Sequence, residues 1–122
     1  MEGVTTRAHI QLGVNDWISG SDIKLKKEIE ELTVLPYINT VKGASYKLIK
    51  GADKRVIGVI AQDIEQYFPE AVFPYKETDG TELKGVSYDA IAAIALQGVK
   101  ELKHYIDILE RRITDLEKQI KN

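Results

Sequence analysis

Residues 88–121, YDAIAAIALQGVKELKHYIDILERRITDLEKQIK, decide the architecture, because they contain no proline and repeat apolar side chains at a spacing that only a long helix brings onto one face. Val99, Leu102, Ile106, Leu109, Ile113, Leu116 and Ile120 follow one another in alternating steps of four and three, a heptad seam with Val or Ile at a and Leu at d. Upstream, Ile91, Ala92, Ala93, Ile94, Ala95 and Leu96 are apolar almost all round, so this part is expected to be buried within the domain or between copies. The chain holds no second long helix to receive the seam. A coiled coil between copies is therefore expected, with oligomerisation through those seven residues. Arg112 at g and Glu117 at the following e suit an ion pair between parallel chains. On packing grounds alone, Ile or Val at a with Leu at d favours a dimer.

Ahead of the helix the pattern changes from a period near 3.6 to short β-prone runs. Ala8 to Val14 alternates, with the apolar even-numbered set on one face, and predicts a strand that Asn15, Asp16, Ser19 and Gly20 break. Leu25, Ile29 and Leu32 predict a short amphipathic helix over 22–32, which Pro36 keeps from continuing. Ser45–Lys50 and Arg55–Ile60 read as a hairpin around Gly51 to Lys54. Ala61 to Tyr67 reads as two turns of helix with Ile60, Ile64 and Tyr67 inward, stopped by Pro69. Val72–Lys76 and Thr81–Ser87 flank an Asp79-Gly80 turn, and Pro74 makes the first of them an edge strand. The fold class is α+β: a small mixed domain of short strands and helices, followed by a long C-terminal helix at about residues 88–121.

Composition excludes several function classes. With 17 basic and 19 acidic residues and no long basic run, the electrostatic footprint of a nucleic-acid binder is missing. The absence of cysteine removes disulfides, thiolate metal sites and cysteine nucleophiles. His9 and His104 lack zinc-site spacing, so neither a metal nor another cofactor is expected. No apolar stretch reaches the length of a membrane span, and residues 1–20 lack the pattern of a signal peptide. Met1-Glu2-Gly3, just ahead of a strand, reads as the cut end of a longer polypeptide.

The candidate chemistry lies in Ser21-Asp22-Ile23-Lys24-Leu25-Lys26, where a hydroxyl and an amine stand five positions apart, as a Ser-Lys dyad needs. Lysine works as a base only after losing its proton. Its ordinary pKa of about 10.4 must be lowered by burial and by nearby positive charge, here Lys24 and Lys27. On one continuous helix, residues five apart diverge by about 140° and about 7.5 Å along the axis, so Ser21 and Lys26 would not touch. Either Ser21 approaches on a turned-back segment outside the helix, or the lysine comes from another copy.

These six residues are followed by Gly58-Val59-Ile60-Ala61-Gln62-Asp63-Ile64-Glu65, by Phe68-Pro69-Glu70-Ala71-Val72, and by Leu83-Lys84-Gly85-Val86-Ser87-Tyr88 leading into a helix with Lys100-Glu101-Leu102. In that order they resemble the intramolecular chaperone auto-processing domain, the peptidase S74 family, found at the C-termini of phage tailspikes, fibres, neck appendages and endosialidases. The resemblance covers about residues 20–122 and departs from the family's usual residues at Lys24, often Arg, and at Glu28, often Asn. It implies a homotrimer, a nucleophile at Ser21, a base at Lys26 and cleavage between Ser21 and Asp22. A cut there by the hydroxyl of Ser21 on its own carbonyl would close a strained four-membered ring; a serine of another copy or an activated water avoids it.

The resulting expectation is a C-terminal chaperone over 22–122, with residues 1–21 as the end of an upstream β-structured client. It trimerises in the host cytoplasm during virion assembly, aligns the client strands of the tail or appendage, and releases itself by single-turnover autoproteolysis. Two other readings are a trimerisation module with an inert Ser-Lys pair and the related self-cleaving domain of membrane-tethered transcription regulators.

Overall fold

The computed structural model describes residues 9–12 and 16–121, with side chains from Gly20 onward. Two units meet between Glu31 and Leu32. In the first, β1 (His9–Leu12) pairs antiparallel with β2 (Asp16–Ser19), His9 opposite Ser19 and Leu12 opposite Asp16. The strand expected over 8–14 is present in its middle; Ala8, Gly13 and Val14 lie outside the described residues. Asp16 and Ser19 do not end it but bound its pairing partner. The β-prone Trp17 and Ile18 between them outweigh the two turn formers.

The helix expected over 22–32 is not formed. A single 3-10 turn occupies Ile23–Leu25, Lys26 is already extended at φ −122° and ψ 147°, and Glu28 turns the chain at φ 53°. Ile23, Leu25, Ile29 and Leu32 all remain exposed. An isolated amphipathic helix of this length is marginal in water, because its stability comes from a surface that receives the apolar face.

In the second unit, a 3-10 helix over Leu35–Thr40 leads into β3 (Gly43–Lys47), which pairs with β4 (Arg55–Val59) from Gly43 opposite Val59 to Lys47 opposite Arg55. Their loop runs over 48–54, longer than the expected 51–54, and is closed by Lys47 Nζ on Asp53 Oδ1 at 2.7 Å and by Lys54 N–H on the Ala52 carbonyl at 2.8 Å. Helix α1 is Ala61–Glu65, shorter than expected. Ile64 is inward as predicted, but Ile60 is the extended residue before the helix and is over a third exposed. Phe68 fills the place instead, its N–H donating to the Ile64 carbonyl at 2.8 Å.

Strand β5 (Val72–Lys76) pairs with β6 (Glu82–Val86), Pro74 opposite Lys84. A two-stranded sheet has only edges, so the missing N–H of Pro74 is tolerated. The connecting turn needs a left-handed residue, supplied by Gly80 at φ 90°, and is fastened by Gly80 N–H on the Glu77 carbonyl at 2.9 Å. Thr81 donates to Asp79 Oδ1 at 2.9 Å, and this hydrogen bonding holds the Asp79 carboxyl below its ordinary range.

The long helix α2, Tyr88–Lys121, starts where Ser87 caps it: the serine hydroxyl accepts from Ala90 N–H at 3.2 Å. Its first turns cover the core, in which Ile94 packs with Val34, Ile64, Phe68 and Ala71. Tyr37 stacks on Tyr67 with ring centroids 4.5 Å apart and meets Phe68 edge-on at 6.3 Å. Gly98 weakens the helix locally, yet a Cβ there would stand 3.3 Å from Val34 Cγ1, so glycine is what lets Val34 bury completely against the helix. Past Glu101 no described residue of α2 is buried.

Candidate active site

Ser21 and Lys26 touch within one chain. Lys26 Nζ donates to Ser21 Oγ at 2.9 Å. The approach is made by the intervening turn: Leu25 N–H bonds the Asp22 carbonyl at 2.9 Å, and Lys26 N–H bonds the Ile23 carbonyl at 3.1 Å. Asp22 starts that turn, its Oδ1 accepting from Lys24 N–H at 2.8 Å. A tight 3-10 turn followed at once by an extended residue folds the lysine stem back over the serine, which a continuing α-helix cannot do. The contact is made within the chain, on a turned-back segment outside any α-helix. Residues 20–33 are exposed throughout.

The seven seam residues also lie where the heptads put them, along one side of α2, and each is 45–83% exposed in the single chain. The all-round apolar part of the helix divides into two sides. Ile91, Ile94 and Gly98 face the core side, whereas Ala92, Ala95, Leu96 and Val99 are exposed. His104 stands outside the dyad and the seam, its ring 6.0 Å from that of Tyr105.

One residue with a long-range role has no local signal in the sequence. The 3-10 helix at Leu35 begins at Val34, whose side chain cannot cap. Glu101 of α2 takes the cap instead: its carboxylate accepts from Val34 N–H at 3.1 and 3.0 Å and from Leu35 N–H at 2.9 Å, while Gln97 Nε2 donates to the Leu32 carbonyl at 3.0 Å. These bonds fasten residues 32–35 to the helix. Glu101→Ala leaves two part-buried N–H groups without their acceptor, and a loss of about 1–3 kcal/mol is expected. Denaturant unfolding of the variant beside Glu101→Gln, which keeps one acceptor oxygen, measures it; equal midpoints for Glu101→Ala and the parent chain would refute the cap.

Residues 21–73 match the model of the peptidase S74 family, the chaperone of endosialidase. This chain carries an S74 domain. The match begins at Ser21 itself and runs through the turn, the 3-10 helix, both strands of the first hairpin of the second unit, and α1, ending inside β5. The S74 chain is also 32% identical over 103 residues to the long tail fiber protein Gp37 of Enterobacteria phage M1, covering 79% of this chain and 41% of that protein. With the long tail fiber protein Gp37 of Enterobacteria phage Ox2 it shares 30% identity over 97 residues, covering 75% of this chain and 38% of the relative. The chain thus spans about two fifths of the length of these two relatives. No helix among the described residues of the S74 chain is long and apolar enough to cross a membrane.

Proposed function

We propose that this chain is the assembly domain of a phage fibre protein, which brings three copies together, aligns the β-structured client region ahead of it, and cuts itself off between Ser21 and Asp22. The single observation that carries the reading is the 2.9 Å contact of Lys26 Nζ with Ser21 Oγ, at the residue where the S74 match begins. Residues 1–21 belong to the client in this scheme and 22–122 to the chaperone.

In the contact as it stands, the amine is the donor. For the cut, the lysine must be neutral, and the bond then reverses, with the hydroxyl donating to Nζ. The reaction adds water across the Ser21–Asp22 peptide bond: the acyl carbon keeps a hydroxyl and ionises to a carboxylate, and the Asp22 nitrogen leaves as an amine. Since Ser21 cannot attack its own carbonyl without a four-membered ring, the attacking oxygen is the hydroxyl of a second copy or a water oriented by the dyad. Exposure of Ser21 and Lys26 in the single chain supports a cut that waits for assembly, when burial can disfavour the ammonium.

The exposed seam supports association. Val99 to Ile120 offers an apolar stripe that lies almost wholly past Glu101, where no described residue of α2 is buried, and three such stripes can close on one another. Pairing β-strands between chains is slow because their ends must first be brought into register, and a helical nucleus raises their local concentration before that cost falls due. Cleavage then makes assembly irreversible. Incubation of the full chain, followed by intact mass, is expected to yield a fragment beginning at Asp22. Fragments starting elsewhere would overturn the assigned bond.

A further inference from the structure

We infer that Glu28 is a positioning residue for the Ser21–Lys26 pair: its left-handed backbone blocks the helix that the surrounding sequence encodes and that would pull the pair apart. The inference rests on the cleavage reading for its consequence, though not for its geometry. Two observations meet here. Leu25, Ile29 and Leu32 have helical spacing, and Lys26, Lys27, Glu28, Glu30 and Glu31 are all good helix formers, so the residue types from 22 to 32 are compatible with a right-handed helix, though one this short is marginal without a surface to receive its apolar face. The chain nevertheless leaves the 3-10 turn at Lys26 and bends at Glu28 with φ 53°, the only positive φ at a non-glycine residue among the described residues.

A long L side chain is disfavoured in the left-handed region, since its Cβ crowds the following carbonyl. Glu28 is exposed, so no packing of its side chain accounts for the bend. Were Glu28 and the extended Lys26 both to take right-handed values, the turn would extend through them into one helix. Residues 21 and 26 would then separate by about 140° around the axis, and the 2.9 Å contact would be lost. The strained residue lies two positions from the lysine and acts on it through the course of the backbone, without touching the reacting atoms.

The consequence is an ordering by backbone preference and not by charge. Glycine and asparagine accept left-handed φ; valine does not. All three substitutions remove the carboxylate, so the contrast among them isolates the backbone. The experiment uses the full chain as wild type, Glu28→Gly, Glu28→Asn and Glu28→Val, with Ser21→Ala as the blank. Two readouts run in parallel on each: the rate of fragment formation by intact mass, and the rate of phosphonylation of Ser21 by a fluorophosphonate, located by peptide mass. Labelling reports the activated hydroxyl without requiring a cut.

Glu28→Val is expected to slow both rates by on the order of tenfold, while Glu28→Gly and Glu28→Asn match or exceed the wild type. Labelling of Glu28→Val at the wild-type rate overturns the inference, as does glycine proving as slow as valine. A wild type that takes the label at Ser21 yet stays whole overturns the cleavage reading alone, and the order of labelling rates still decides the role of Glu28. If Ser21 is neither labelled nor followed by a cut, both are overturned.

Discussion

Ser21→Ala and Lys26→Ala are each expected to leave the chain whole under conditions in which the parent releases a fragment beginning at Asp22. The first removes the hydroxyl and the second the amine that meets it at 2.9 Å, and neither side chain belongs to the core or to the seam. Both variants should therefore keep the oligomeric state of the parent. Lys26→Arg should fail as completely, because a guanidinium stays protonated at any usable pH and cannot accept the proton. The loss is expected to be about a thousandfold or more in rate, since nucleophile and base act as a unit. Intact mass over time on proteins made alike measures it, and efficient cutting of Lys26→Ala would sink the assigned base. Co-assembly separates the two routes of attack. A tagged Ser21→Ala chain mixed with wild type is cut only when a neighbour's hydroxyl attacks across copies; a tagged chain that stays whole beside cut partners assigns the attack to water.

Ile113→Asp should abolish assembly at micromolar concentration. Ile113 is an a position near the middle of the exposed stripe, with Leu109 and Leu116 at the neighbouring d positions. In a trimer three aspartates would meet at one layer, each losing apolar burial and each facing two like charges in a desolvated seam, at a cost of several kcal/mol per chain. The globular core lies against the first turns of α2, far along the helix from residue 113, so the fold of each chain should survive. Sedimentation equilibrium distinguishes the outcomes: the parent at three chain masses and the variant at one. A parent that sediments as a monomer would remove the seam from the proposed function. Slower cutting in Ile113→Asp would show that cleavage waits for assembly, and unchanged cutting would place the whole reaction within one chain.

The long helix and its seam were legible in the sequence because their signal is periodic over eleven positions and more and no proline interrupts it. The hairpins around 48–54 and 77–81 were legible too, since turn formers separated β-prone runs, though their ends moved by a few residues as side-chain pairs such as Lys47 with Asp53 closed the loops. The 22–32 segment misled. Its apolar spacing described a helix, but spacing states only which face could be buried, and within its unit Ile23, Leu25 and Ile29 stay exposed.

By itself, then, the sequence determined the long helix, the seam, the two hairpins around 48–54 and 77–81, and the presence of a serine with a lysine five residues on; these depend on local periodicity and on residue chemistry, which are written along the chain. Tertiary structure alone decided the rest. That Lys26 reaches Ser21 follows from a turn that stops after Leu25 and from the bend at Glu28, a backbone choice that good helix formers conceal. That Glu101 caps the Leu35 helix and that Gly98 admits Val34 depend on partners more than sixty residues away, and no local pattern encodes a contact whose two halves meet only when the chain has folded.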